Sequence, residues 1–416
     1  MLETLKFTGR IMKKRPLRSL LTIFQLALGV WIVAVILSLN LQATSRINEA
    51  AVMFGDTLAK VHVSKEEQVD GAVDSMRTST FQRSDLERLK ESSNIEAAFI
   101  YDHNWYMDMQ FNNLYYRVGA VAGTTPEFAD AVGLEMVEGY FFTDMDLEQN
   151  NRVAVISETI SKQLYPNQSA LGQTINLGRF REGELIYEII GVYKPPVSSL
   201  QYFLQESYVI FPLGYSDHYY GDMDWERTYG EIYIQSAPGA IYDAVEDAKI
   251  LLAHRAVDGM EVNGEYFQDS TRFQTTQIKN MSMMLGAFAF VAIMISSIGI
   301  LSIMLVSVVE RTREIGLRKA LGASKLTIVA QILNESFVFS LLGAFVGLIA
   351  AYFTSGTLTN TLAEEIFFYG MDNLGGLHPK AALFAFLLAI VVGQLFGLYP
   401  AVQAAKMLPV DALRDA

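Results

Sequence analysis

Glu310-Arg311-Thr312-Arg313-Glu314-Ile315-Gly316-Leu317-Arg318-Lys319-Ala320-Leu321-Gly322-Ala323-Ser324-Lys325 is a charged island between two long apolar runs, 281–309 and 326–354. Each run exceeds the roughly 20 residues of helix that cross a bilayer core, so the island reads as a short helix in a tight loop joining two membrane spans. Five basic residues against two acidic ones place the loop on the cytoplasmic side, because positive charge beside a span resists translocation.

Two further runs, 20–41 and 381–404, are long and apolar enough to span. With 51% hydrophobic residues over 416 positions, the composition is that of a membrane protein carrying a large water-soluble part. That part is the interval 42–280, which has no comparable run. Lys6, Arg10, Lys13, Lys14, Arg15 and Arg18 precede the first span, and Lys406 and Arg414 follow the last, so both termini are expected in the cytoplasm. The chain's net charge of −13 is then the sum of a basic cytoplasmic side and a more strongly acidic remainder, so the acidic balance belongs to the outer domain, which argues against a nucleic-acid partner, since such surfaces need clustered positive charge. Cysteine is absent, which excludes disulfides, thiol redox chemistry and zinc–thiolate sites.

The N-terminus resembles a secretory signal in its order, a basic region and then an apolar run. The apolar run of about 20 residues is longer than a signal core of 7 to 15, so it reads as an uncleaved span. Leu2, Leu5, Phe7 and Ile11 among cations fit an amphipathic helix on the inner leaflet, with a loose basic tail as the alternative.

The outer domain alternates strands and helices. Strands are expected at 58–63, 97–101, 115–121, 152–158, 173–177, 185–193, 207–211, 231–235 and 260–262. Helices are expected at 84–91, with Ser84 as cap, at 159–165 and at about 240–256. A β-rich middle, about 131–228, inserted into an α/β lobe fits this order. The fold class is thus an α-helical membrane domain of four spans plus a mixed α/β extracytoplasmic domain of two subdomains between spans 1 and 2. Residues 355–380 form an outer loop and 405–416 a cytoplasmic tail.

Within the island, Glu314 precedes Arg318 by four residues, the favourable order for a helical ion pair. Leu317, Ala320 and Leu321 share a face, and Gly322 suits a helix stop. Such a helix could fill a groove on a cytosolic protein. Its charges could equally serve only to anchor the spans, and composition leaves both readings open. Gly343 with Gly347, and Gly393 with Gly397, put GxxxG steps in spans three and four. These suit packing within one subunit, with dimer contact as the alternative. Glu335, beside Asn334, lies about three turns inside the third span, where a carboxylate is costly; a structural role is favoured over a proton relay. The five histidines are scattered, and the acidic, aromatic stretch 215–226 lacks calcium-loop spacing, so no metal site is expected. The aromatics of that stretch suit contact with an accessory protein or cargo.

The island, from Glu310 to Ala323, closely resembles the loop between the second and third spans in permeases of the MacB/FtsX/LolCE type of ABC transporter. Gly397-Leu398-Tyr399-Pro400-Ala401-Val402-Gln403-Ala404-Ala405-Lys406, followed by Pro409-Val410-Asp411-Ala412-Leu413-Arg414, is similar to that family's C-terminal signature. Residues 152–178 look like the inserted lobe of a MacB-type periplasmic domain. The resemblance implies a permease working as a dimer, homomeric or of two paralogues, in a bacterial cell (inner) membrane. It implies two cytosolic ATPase subunits that grip the island as a coupling helix, through Arg311, Glu314, Ile315, Leu317, Arg318, Lys319 and Leu321. It further implies mechanotransmission: the partner's ATP cycle drives a motion passed through the spans to the outer domains, which export or extract a hydrophobic, peptide or lipoprotein-like substrate. A periplasmic adaptor is a further partner of such systems. The alternative within the family is an FtsX-like signalling permease that activates an extracytoplasmic partner such as a cell-wall hydrolase. Some members carry a fused ATPase; here no Gly-x-x-x-x-Gly-Lys-Ser/Thr occurs, and that loop is needed to wrap amides around phosphates. The chain is therefore expected to be non-catalytic and to bind no cofactor, with ATP and magnesium in the partner.

Overall fold

The structure is a computed structural model describing residues 16–69, 72–104, 107–111, 114–118, 120–180, 183–205, 207–215, 227–257, 259–367 and 375–409. The amphipathic helix expected at the N-terminus, the acidic stretch beyond Tyr215 and the tail beyond Pro409 lie outside these residues. Residues fall into two units, 46–275 and the remainder.

The second unit is built of long helices, the last residues of α1 and the first of α8 falling in unit 46–275: α1 (Pro16–Phe54), and, after the outer domain, α8 (Phe267–Glu310), α9 (Thr312–Ala320), α10 (Lys325–Phe367) and α11 (Pro379–Lys406). Among the described residues, four helices are long and apolar enough to cross a membrane, and they contain the four runs read from hydropathy. The helices outlast those runs. At 1.5 Å per residue the 44 residues of α8 extend about 66 Å, twice the thickness of a hydrocarbon core. Hydropathy marks only the portion that lipid would solvate.

In unit 46–275 the elements run β1 (Leu58–Val69), β2 (Ala72–Thr78), α2 (Asp85–Leu89), β3 (Ile95–Phe99), β4 (Tyr101–Asn104), β5 (Met107–Phe111), β6 (Leu114–Val118) and β7 (Val121–Thr124). They continue as α3 (Glu127–Ala131), β8 (Met136–Gly139), α4 (Asp144–Glu148), β9 (Val153–Ser157), α5 (Glu158–Leu164), β10 (Thr174–Phe180) and β11 (Gly183–Tyr193). The last are α6 (Ser198–Leu204), β12 (Val209–Pro212), β13 (Glu231–Ser236), α7 (Ile241–Leu252) and β14 (Glu261–Tyr266).

The first sheet has the order β14-β1-β13-β3, with β2 on β1, all antiparallel. Alternation along β1 turns Ala59, Val61 and Val63 toward Ala244, Val245 and Leu252 of α7. Lys60 and His62 consequently face the other way. The second sheet has the order β4-β7-β12-β9-β11-β10-β5-β6, with β8 on β11, and is mixed: β9 runs parallel to β11, and β7 to β12. A third cluster of buried residues, including Phe99, Phe128, Phe203, Tyr233 and Phe267, draws on both sheets.

One lobe is thus inserted into the other, but the inserted sheet begins at Tyr101 rather than near 131. β3 and β4 are almost contiguous, yet they belong to different sheets, and nothing in their alternation marks the crossing. Strand partners come from side chains distant in sequence, which periodicity does not carry. For the same reason the strand expected at 115–121 is two strands, β6 and β7. Ser84 makes no side-chain cap on α2; the turn is held by Asp85, whose carboxylate accepts the Gln82 N–H at 2.8 Å. At α5 the cap is present, Ser157 Oγ accepting from Ile160 N.

Candidate coupling site

The island forms α9, set between α8 and α10 by two tight corners. At the first, Arg311 breaks the helix and its N–H donates to Val308 O at 3.2 Å. At the second, Gly322 takes a φ of +96°, which a side chain would strain. Ala323 N–H then reaches Arg318 O at 3.0 Å and Gly322 N–H reaches Lys319 O at 3.1 Å, the paired bonds of a Schellman stop. Ser324 caps α10, its Oγ accepting from Thr327 N at 3.2 Å. The stop expected at Gly322 is where the helix ends.

The two faces of α9 differ. Ile315 is buried among Val308, Ile328, Ile332, Ala401 and Ala404, contributed by the ends of α8, α10 and α11. Leu317 and Leu321, one turn apart, are 53% and 81% exposed. The apolar ridge seen in the sequence therefore points away from the bundle.

The three basic residues expected to contact a partner, Arg311, Arg318 and Lys319, each bond to the other helices of this chain. Arg311 Nη1 donates to Glu335 Oε2 of α10 at 3.0 Å, which gives the buried carboxylate inside the span a partner from the island itself. Arg318 Nη1 donates to Gln331 Oε1 of α10. Lys319 Nζ donates to the carbonyls of Ala405, at 2.8 Å, and Met407. A cation there satisfies acceptors that the end of α11 leaves open and complements its dipole. Glu314 lines a small cavity together with Arg311, Arg318, Gln331 and Glu335.

The glycine steps face other helices of the same chain. A Cβ at Gly343 would stand 2.5 Å from Leu26 Cβ, and one at Gly347 2.5 Å from Ala27 O, so both admit α1 against α10. Gly397 lies against Ser336, and Ser336 Oγ donates to Gly393 O at 2.5 Å, closing α10 on α11. The serine stripe, Ser336 and Ser340, was missed in the sequence; its signal is the same four-residue spacing as the glycines it meets. Gly393→Leu is expected to force the two helices apart and lower the thermal midpoint of the chain in nanodiscs by several degrees, at a cost of about 1–3 kcal/mol or more for overpacking. An unchanged midpoint would show that the seam between the two helices accommodates the added bulk.

Comparison with known proteins matches a MacB-like periplasmic core domain over residues 19–249 and an FtsX-like permease C-terminal domain over 286–409. The uncharacterised ABC transporter permease YknZ of Bacillus subtilis (strain 168) is 28% identical over 415 residues, covering 100% of this chain and 99% of that protein. The macrolide export ATP-binding/permease protein MacB of Pasteurella multocida is 26% identical over 97% of this chain, which spans 59% of the length of that relative. Among solved structures, the periplasmic region of MacB from Actinobacillus actinomycetemcomitans superimposes with a TM-score of 0.42 at 16% identity, covering 55% of this chain and 96% of that one. With the first family model covering more than half of its length and the second most of its membrane part, this multi-pass chain belongs to the MacB/FtsX-like family of ABC transporter permeases.

Proposed function

We propose that this chain is the non-catalytic permease subunit of an ABC transporter, in which α9 receives the motion of a separate cytosolic ATPase. The membrane helices pass that motion to the outer domain, which drives export or extraction of a hydrophobic, peptide or lipoprotein-like substrate. Both termini and α9 lie on the cytoplasmic side in this reading, and two permease copies act with two ATPase subunits. The observation that carries it is the asymmetry of α9: its inner side is fixed by Ile315, Arg311 and Lys319, while Leu317 and Leu321 stand exposed on the outer side. A helix fastened so firmly yet presenting an apolar pair suits a rigid knob for a partner's groove. ATP hydrolysis is assigned to the partner because these residues contain no phosphate-wrapping loop.

The test is the double substitution Leu317→Asp with Leu321→Asp. Two carboxylates in an apolar groove should abolish co-purification with the proposed ATPase subunit, and ATP-dependent transport with it, a loss of about 100-fold or more in affinity. Retention of an active complex would remove α9 from the coupling role. A reporter fused after Ala416 should score as cytoplasmic.

A further inference from the structure

Within unit 46–275, aromatic rings form a continuous column. Phe54, the last residue of α1, meets Phe267, the first of α8, edge to face at 5.7 Å. Phe267 meets Phe203 of α6 at 5.3 Å, and Phe203 meets Tyr233 of β13 at 5.8 Å. Tyr233 stacks on Phe99 of β3 at 5.2 Å and 7°. Phe99 abuts Phe128 of α3 at 5.5 Å, and Phe128 packs on Tyr101 of β4 at 5.1 Å. The rings thus run from two helix ends through the first sheet to the first strand of the second. All seven side chains are at most 7% exposed and belong to one buried cluster.

The middle of the column is clamped by charge. Lys60 Nζ lies 5.2 Å from the Phe203 ring centre and 5.9 Å from that of Tyr233. It is paired with Glu231 at 3.1 Å and Glu265 at 3.6 Å, and Arg77 bridges the same two carboxylates at 2.8 and 3.2 Å. Tyr233 Oη donates to Glu231. Burial pushes the neighbouring His62 imidazole down to about 4, so the cluster gains no further cation near neutral pH. Beside the column, Ser199 of α6 donates to Gln274 of α8, both buried, so a polar bond doubles the ring contact between these helices.

Rings are rigid and close-packed, so a displaced ring moves its neighbour instead of absorbing the shift in rotamer freedom. We infer that Phe203, held between Phe267 and Tyr233, is the positioning residue through which displacement of the α1 and α8 ends reaches both sheets of the outer domain. This deepens the proposed function and rests on it for the source of the motion.

Amide hydrogen exchange on the full chain in nanodiscs tests the inference without ATP or partner. Phe203→Leu should speed exchange about tenfold both at the start of α8 and in the distant α3, residues 127–131. Leu252→Ala, in the core of the first sheet but outside the column, is the control when compared at the temperature that gives equal distance below its own midpoint; it should leave 127–131 within about twofold of wild type. Tyr233→Phe keeps its ring and loses only the bond to Glu231, so residues 127–131 should stay within about twofold of wild type. The inference is overturned if the Phe203 effect stays within α6 and its direct neighbours, or if the control spreads equally far. Should Phe203→Leu not fold, Phe267→Leu reads the same column from its end. A negative result here counts against the column alone, whereas loss of ATPase capture is the measure of the coupling role.

Discussion

Replacing Arg311 by alanine is expected to destabilise the membrane helices by about 3–5 kcal/mol, more than any surface substitution in the island. The reason is Glu335, whose carboxylate is 7% exposed and takes its hydrogen bond from Arg311 Nη1 at 3.0 Å. With the guanidinium gone, a carboxylate inside a span has lost the charge that compensates its desolvation. Glu335→Gln should be milder, because the amide oxygen still accepts from Arg311 and no uncompensated anion remains. The exchange of partners, Arg311→Glu with Glu335→Arg, should recover part of the loss and so separates the pair from either residue's packing. Thermal unfolding in nanodiscs reads all three variants. An Arg311→Ala chain as stable as wild type would mean the pair contributes only geometry. If Glu335→Gln also retains normal ATPase coupling, the carboxylate's charge has no part in function beyond holding Arg311.

The second large effect is expected in the outer domain at Asp85. Its carboxylate is fully buried, accepts from Arg255 Nε at 2.9 and 3.0 Å and from Gln82 N at 2.8 Å, and lies 3.3 Å from His254. This one group ties the start of α2 to the turn that follows α7, on the same side of the first sheet. Asp85→Ala takes the counter-charge from Arg255, which keeps only its Nη2 bond to Gln82 Oε1, and leaves the Gln82 N–H without its acceptor, so a loss of about 3–5 kcal/mol is expected. Asp85→Asn should fall between, keeping one acceptor without the charge. A double-mutant cycle with Arg255→Met in denaturant unfolding of the full chain isolates the pair; a coupling energy near zero would place the cost in the Gln82 bond instead.

How much of this was legible in the sequence depends on the range of the forces involved. The spans and the island helix follow from local composition, and Gly322 from the handedness of a single corner, so these were readable residue by residue. The direction of α9 was not. Leu317, Ala320 and Leu321 mark one face by spacing alone, but which face turns inward depends on the pocket that Ile328, Ile332 and Ala401 offer, and it takes Ile315. Arg318 and Lys319 read as surface charges because their acceptors, Gln331 and the α11 carbonyls, lie 13 and 86 or more residues away. In the outer domain, α6 escaped notice because Ser198–Leu204 is too short for a helical period to stand out, although Phe203 is the ring on which the column turns.

The corner at Gly322 has a further consequence. Its amides and the carbonyls they reach are already matched, Leu321 N–H to Leu317 O, Gly322 N–H to Lys319 O and Ala323 N–H to Arg318 O, and Ser324 meets the Thr327 amide beyond it. The amides of Leu321, Gly322 and Ala323 are thus turned back on the helix and offer a visitor no free N–H. In the proposed coupling role, discrimination between one visiting protein and another would then rest on the shapes of a few side chains, above all the exposed Leu317 and Leu321. Such a corner can change its allegiance by two substitutions while its backbone stays as it is, a short evolutionary path by which duplicated permeases could come to answer to different motors.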